Sequence, residues 1–368
     1  AMLSDEFGAS WILVITIFGA ILFTAIGYFN DAWHRNQMGI TTEISIVLSV
    51  LIGALCYQGH LVTAAALGIA TTVILSIKLA TDQFVKALTR KELIAALQLA
   101  VISVIILPLL PNQSIGPEPF DALNLNKIWW MVVLISAINF SGYIAVKIAG
   151  PKQGIGIAGL LGGLASSTAV TLSFSERSQR EDHLGKPFAV AIIAAWTVMF
   201  ARVLVEVGVI NPDLLNVVWI PIAAVGVVAL VYSIYLYLSQ KAVDEKGEVD
   251  ISSPLDLASA IKFGLLYALV LLISRVAMLE FGNTGLYISS ILSGLADVDA
   301  ITLSMAELSL GGRLNYSIAT RAIVFAAMSN TVVKGGIVVF SGSPSLRKAL
   351  APGLILILIT GIGTAFFM

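Results

Sequence analysis

Charge is what this chain has least of. Lys, Arg, Asp and Glu make up 12% of its 368 residues, where a soluble domain carries about a quarter. Hydrophobic residues make up 58%, and the mean hydropathy is +0.95. That balance excludes a soluble globular domain and predicts an all-α, polytopic membrane protein embedded in a lipid bilayer. Cysteine is almost absent. One residue, Cys56, excludes an intrachain disulfide and a thiolate metal cluster. The three histidines, His34, His60 and His183, all fall in short polar connections. A net charge of -1 argues against a nucleic-acid partner. No G-x-x-x-x-G-K-[ST], H-E-x-x-H or G-x-S-x-G is present, so nothing points to an ATP-driven pump or a hydrolase. The expectation is a protein that is not an enzyme and carries no cofactor.

What is there is apolar runs. A bilayer core about 30 Å thick needs about 20 apolar residues per helix. On that length the chain reads as about ten spanning helices plus two interrupted ones. The spans start at Trp11–Phe29, Glu43–Tyr57, Leu61–Leu79 and Leu93–Leu110, and continue with Ile128–Ala149, Pro187–Gly208 and Val217–Leu238. Leu257–Phe281, Ser317–Phe340 and Pro352–Phe367 complete them. The first run has no basic leader or cleavage pattern and reads as a retained helix.

Two stretches repeat. Leu161–Glu176 reads LGGLASSTAVTLSFSE and Leu292–Glu307 reads LSGLADVDAITLSMAE. Laid over each other without a gap they match at Leu161/Leu292, Gly163/Gly294, Leu164/Leu295, Ala165/Ala296 and Ala169/Ala300. Thr171/Thr302, Leu172/Leu303, Ser173/Ser304 and Glu176/Glu307 match too. After a one-residue slip, Ala194-Ala195 falls on Ala326-Ala327 and Arg202 on Lys334. This is an internal duplication. It divides the chain into a four-helix segment 1–127, a first repeat 128–208, and a connecting helix and loop 209–256. A second repeat 257–340 and a last helix 341–368 follow.

Loops at 78–91, 177–186, 241–246 and 347–348 are basic, and those at 58–60, 112–126, 209–216 and 281–285 lack Lys and Arg. The basic loops belong in the cytoplasm. Parity fails if every apolar segment spans. It is restored if 154–176 and 285–307 each enter and leave on one side, which leaves Arg313 outside. The two units are then upside down relative to each other, the inverted-repeat pattern of secondary transporters. The alternative is that both cores span and the repeats run parallel.

Asp297 and Asp299 are acids at membrane depth, a costly place that marks a cavity or a cation. Their oxygens suit hard cations such as Mg²⁺ or Mn²⁺; an aspartate capping a helix break is the plainer reading. Ser166, Ser167 and Thr168 hold the matching place in the first copy, and Asn330 is an amide in an apolar run. Glu307 completes this set of candidate metal ligands. Glu176, Arg202, Lys334 and Arg275 are candidates for modulating transport, the cations by neutralising the aspartates when no ion is bound. Asn139 is a weaker candidate.

Several stretches resemble one bacterial group, the MgtC/SapB-type integral membrane proteins with an associated membrane domain of unknown function. They are Thr41–Ile44, LPLLP at Leu107–Pro111, ISAINFSGY at Ile135–Tyr143, GLLGGLASST at Gly159–Thr168, GLADVDAIT at Gly294–Thr302 and NTVVK at Asn330–Lys334. The resemblance runs from about residue 40 to the end. It implies a bacterial inner-membrane protein linked to divalent metals and names no substrate.

The reading is therefore a secondary transporter or permease for a divalent metal cation, with Mg²⁺ or Mn²⁺ first. The alternatives are a Na⁺- or H⁺-coupled carrier of a small organic anion and a non-transporting membrane regulator. The 31 glycines permit helix packing within or between protomers, so a homo-oligomer is compatible with the sequence.

Overall fold

The computed structural model describes residues 18, 19, 22, 41–72, 89–149, 154–239 and 257–367. Most of the expected first span 11–29, the end of the expected span 61–79, most of the basic connection 78–91 and the loop 241–250 lie outside the described residues. The chain divides into two compact units, Ala1–Thr89 and Arg90–Met368. The first contains α1 (Thr41–Tyr57) and α2 (Leu61–Thr72), joined by a turn in which Gly59 takes φ 83°.

The second unit is a helical bundle, and no strand occurs among the described residues. Its helices are α3 (Arg90–Leu109), α4 (Leu125–Ala149), α5 (Ile155–Arg180), α6 (Gly185–Ile210) and α7 (Pro212–Ser239). Then come α8 (Leu257–Ala296), α9 (Val298–Leu310), α10 (Tyr316–Ser341) and α11 (Pro344–Phe366). Eight helices among the described residues are long and apolar enough to cross a membrane, as a polytopic membrane protein requires. Their outward faces stay apolar: Trp219, Val227, Val231 and Leu238 on α7, and Ile355, Ile359 and Phe366 on α11, are exposed. A lipid solvent accommodates such faces and water does not.

α6 is the central column and packs against α5, α7, α9 and α11. Its residues 187–196 are buried without interruption, ending on Trp196. The two halves of α5 lie along it in opposite directions. In the first half Gly156 meets Val190, and Gly163 lies so close to Ala195 that a Cβ there would sit 2.6 Å from its Cα. Past the interruption the order reverses: Trp196 Nε1 donates to Thr171 Oγ1 (3.0 Å) and Phe174 stacks on Phe188 (5.4 Å). Both ends of α5 thus lie beside the start of α6, and its middle lies beside the middle of α6.

The second copy follows the same plan. α8 bends at Gly282, where φ of 57° suits glycine. Its last turns run along α10: Tyr287 meets Phe325 edge-on, Ser329 Oγ donates to Ile291 O (2.8 Å) and Asn330 Nδ2 to Gly294 O (3.0 Å). After Asp297, α9 leads back to the start of α10 through the turn 311–315. The Gly163–Ala195 contact recurs as Gly294–Ala326, a Cβ on Gly294 meeting the Ala326 Cα at 2.8 Å. Packing therefore aligns Ala195 with Ala326 and not with Ala327. The slip expected from the sequence falls after this contact, because close approach of the backbones fixes the register first.

Candidate functional site

The interruption in α5 is at Ser166, whose backbone is extended (φ -165°, ψ 109°). The break between α8 and α9 is at Asp297 (φ -157°, ψ 131°). These are matching positions of the duplication, and the two side chains do the same local work. Ser166 Oγ accepts from Ala169 N (3.2 Å), and Asp297 Oδ1 accepts from Ala300 N (3.2 Å) and from Asp299 N (2.6 Å). Each caps the helical half that begins there, a role in which Ser and Asp are both favoured. The capping reading of Asp297 made from sequence therefore holds.

A broken helix also frees carbonyls. Donors from the neighbouring long helix satisfy them: Arg202 Nη1 on α6 donates to Leu164 O (3.3 Å), and Asn330 Nδ2 on α10 donates to Gly294 O. The amide of Asn330 is thus engaged through its nitrogen.

The two breaks meet. A polar cavity of about 160 Å³ is lined by Asn139, Ala165, Ser166, Ser167, Thr168, Met199, Arg202, Ala296, Asp297, Val298, Asp299, Asn330 and Lys334. Each long helix sends its cation across to the other copy's break. Arg202 Nη2 lies 2.6 Å from Asp299 Oδ2. Lys334 Nζ, 1% exposed, donates to Ser167 Oγ (2.7 Å) and approaches Met199 Sδ (2.7 Å). A buried charge pair of this kind is weak evidence for stability but strong evidence for placement, since breaking it strands a charge.

Of the residues singled out from sequence, Ser166, Ser167, Thr168, Asp297, Asp299, Asn330, Arg202, Lys334 and Asn139 all line this cavity. Glu307, Glu176 and Arg275 do not. Glu307 pairs with Lys127 at the start of α4 (2.5 Å). Glu176 is exposed. Arg275 pairs with Glu118 (2.5 Å) and Asp121 (3.3 Å), and Asp121 also binds Arg313 (3.0 Å). Among the described residues no group of three or more His, Cys, Asp or Glu converges as a metal site. One acid in the neighbourhood was missed: Glu206, fully buried on α6 one turn beyond Arg202. Its signal was present in the sequence, an acid inside an apolar run at i+4 from an arginine.

Residues 133–342 match the family described as Domain of unknown function (DUF4010). The chain belongs to this family. A protein of Aquifex aeolicus (strain VF5), described as an uncharacterized protein, is 36% identical over 192 residues, covering 52% of this chain and 84% of its own length. No solved structure matches the chain. The family match spans both breaks and the whole cavity lining. The resemblance to the MgtC/SapB type has no counterpart among these matches.

Proposed function

We propose that this protein is a secondary carrier of the bacterial inner membrane, and that its substrate is a small hard cation held between two inverted repeats. One observation carries the reading: two helix breaks at matching positions of a duplication open onto one polar cavity inside apolar helices. Discontinuous helices meeting at such a cavity are the usual substrate site of secondary transporters.

The inverted arrangement rests on how the contacts group. Gln179 Nε2 donates to Gly342 O (3.0 Å), Ser343 N to Ser178 Oγ (2.9 Å) and Ser345 N to Asp182 Oδ1 (3.3 Å). These gather the end of α5 with the α10–α11 turn. Asn211 Nδ2 donates to Ser309 Oγ (3.0 Å). With Lys127–Glu307 and Arg313–Asp121, that gathers the end of α9 with the α6–α7 turn and the loop before α4. In this reading α5 re-enters from the first side and α8–α9 from the second. Arg177, Arg180, Lys186, Arg347 and Lys348 make the first side cytoplasmic.

A cation would take Asp299 and the free oxygen of Asp297, with hydroxyls of Ser166, Ser167 and Thr168 and the Asn330 oxygen around it. Two carboxylates with neutral oxygens fit Mg²⁺ or Mn²⁺ better than Zn²⁺. In the empty carrier Arg202 fills the cation's place. Movement of one repeat against the other would expose the cavity alternately to each side. A second reading is favoured by Lys334, which has a hydroxyl and a sulfur as its hydrogen-bond partners and lies by the start of the second half of α5. A small organic anion would find a cation and a helix N-terminus there.

The test is ion flux into proteoliposomes for Mg²⁺, Mn²⁺, Co²⁺, Ni²⁺, Zn²⁺ and Ca²⁺, comparing wild type with Asp297→Asn. Flux for one or more ions that is lost in the variant supports the cation carrier. Flux of an organic anion alone, dependent on Lys334, moves the assignment to the second reading. No flux of either kind by folded protein leaves a non-transporting regulator.

A further inference from the structure

The residue that the cation carrier does not yet use is Glu206. Its side chain is fully buried, and neither carboxylate oxygen accepts a hydrogen bond from a donor among the described residues. Oε1 lies 3.8 Å from Arg202 Nη2, within ion-pair range and beyond a hydrogen bond. The guanidinium is itself incompletely used: Nη1 binds Leu164 O, Nη2 binds Asp299, and Nε is buried without a partner. A guanidinium with an unused donor and a carboxylate that accepts from no donor thus lie one helical turn apart, within ion-pair range. A guanidinium edge and a carboxylate match as a two-bond fork. Asp299 and Asp297 are acids within electrostatic reach of Glu206, and the Asp299 carboxyl, which already holds Arg202, comes close enough to share a proton with Glu206 in a side-chain hydrogen bond.

We propose that Arg202 has two seats, Asp299 in the empty carrier and Glu206 in the loaded one. The idea rests on the cation reading of the cavity. A cation arriving at Asp299 must displace a guanidinium that cannot leave the protein interior. Glu206 receives it, so the charge lost at one acid is regained at the next, and Arg202 never sits uncompensated. Glu206 is in this sense a positioning residue: it sets how readily Asp299 is released to substrate. Without it the cation would compete against a buried salt bridge that has nowhere to go.

Two measurements separate this inference from the reading beneath it. The first needs no substrate. Unfolding of wild type, Asp299→Asn, Glu206→Gln and the double variant is compared in detergent. Each single variant leaves Arg202 one of its two ion-pair partners and should lose little. The double variant should lose more than the sum of the two. If it does not fold, adding Arg202→Met should restore folding, because the stranded guanidinium is then gone. Additive losses, or no rescue by Arg202→Met, would overturn the two-seat arrangement. The second measurement is the Mn²⁺ or Mg²⁺ concentration needed to shift thermal stability. Glu206→Gln should weaken it by about 5- to 150-fold, the span of ordinary site coupling, and Arg202→Met with Glu206→Gln should regain it. Unchanged affinity in Glu206→Gln beside a normal wild-type response refutes the switch. Coupled unfolding with no cation response in any of these proteins keeps the two seats and removes the cation as substrate.

Discussion

Asp297 has two duties that one pair of substitutions separates. Its Oδ1 accepts from the backbone N–H groups of Asp299 and Ala300, and Ala300 is fully buried. Its charge belongs to the cavity. Asp297→Asn keeps an oxygen at the capping position and removes the charge. Asp297→Ala removes both. Losing an N-cap costs about 0.5–2 kcal/mol, and a buried N–H left without a partner costs about 1–3 kcal/mol. The two overlap, since they describe the same hydrogen bonds, so Asp297→Ala should lose about 2–3 kcal/mol. Asp297→Asn should stay within about 0.5 kcal/mol of wild type, as Asn and Asp cap equally well. The gap of about 2 kcal/mol is about 30-fold in the folding equilibrium and is readable by equilibrium unfolding in mixed micelles. Cation affinity should fall in both variants alike. If Asn and Ala unfold together, Asp297 is not capping α9, and the shared role assigned to Ser166 falls with it. If Asn binds cations as wild type does, the carboxylate is a structural group alone.

Other expectations follow from the same geometry. Gly163→Val and Gly294→Val each press a branched side chain onto the backbone of Ala195 or Ala326. Each should lose about 1–3 kcal/mol of stability, the usual range for overpacking, visible as reduced yield of folded protein in detergent; wild-type yield from either would contradict the close approach. On a Cys56→Ser background, cysteines at residues 183 and 348 should react with a membrane-impermeant maleimide from the cytoplasmic side. Those at 113 and 213 should react from outside, and labelling of 113 and 183 from one side would overturn the re-entrant path of α5. Lys334→Met removes a buried amine whose hydrogen-bond partners among the described residues are a hydroxyl and a sulfur, so folding should be unharmed or improved, while flux should be lost if the substrate is an anion and kept if it is a cation. A Lys334→Met protein that transports normally would remove the anion reading.

The duplication was legible because both copies need the same unusual thing, a helix that stops in the middle of an apolar layer. Such a stop requires small residues before it and a capping oxygen at it, and these are readable as GGLASST and SGLADVD. The cavity lining was legible for the same reason: hydroxyls, amides and charges are rare enough in apolar runs that each marks a place. Partners across the fold were not legible. Lys127 with Glu307, and Arg275 with Glu118 and Asp121, join residues far apart in sequence, and nothing local in either strand of sequence names the other. Glu307 looked like part of the site because it recurs as Glu176; the fold gives one copy a lysine and leaves the other exposed. Recurrence in a duplication thus reports the ancestor's scaffold, while divergence reports the present chemistry. Ser166 and Asp297 keep the cap and differ in charge. Arg202 and Lys334 keep the charge and differ in the group they meet. The cavity is therefore asymmetric where the scaffold is symmetric: one break brings carboxylates and the other hydroxyls. A cation selected by such a cavity would be bound mainly by the second repeat and gated mainly by the first, through Arg202. That division predicts that substitutions at Asp299 change affinity, whereas those at Ser167 change the rate at which the cavity closes, measured as flux at saturating cation.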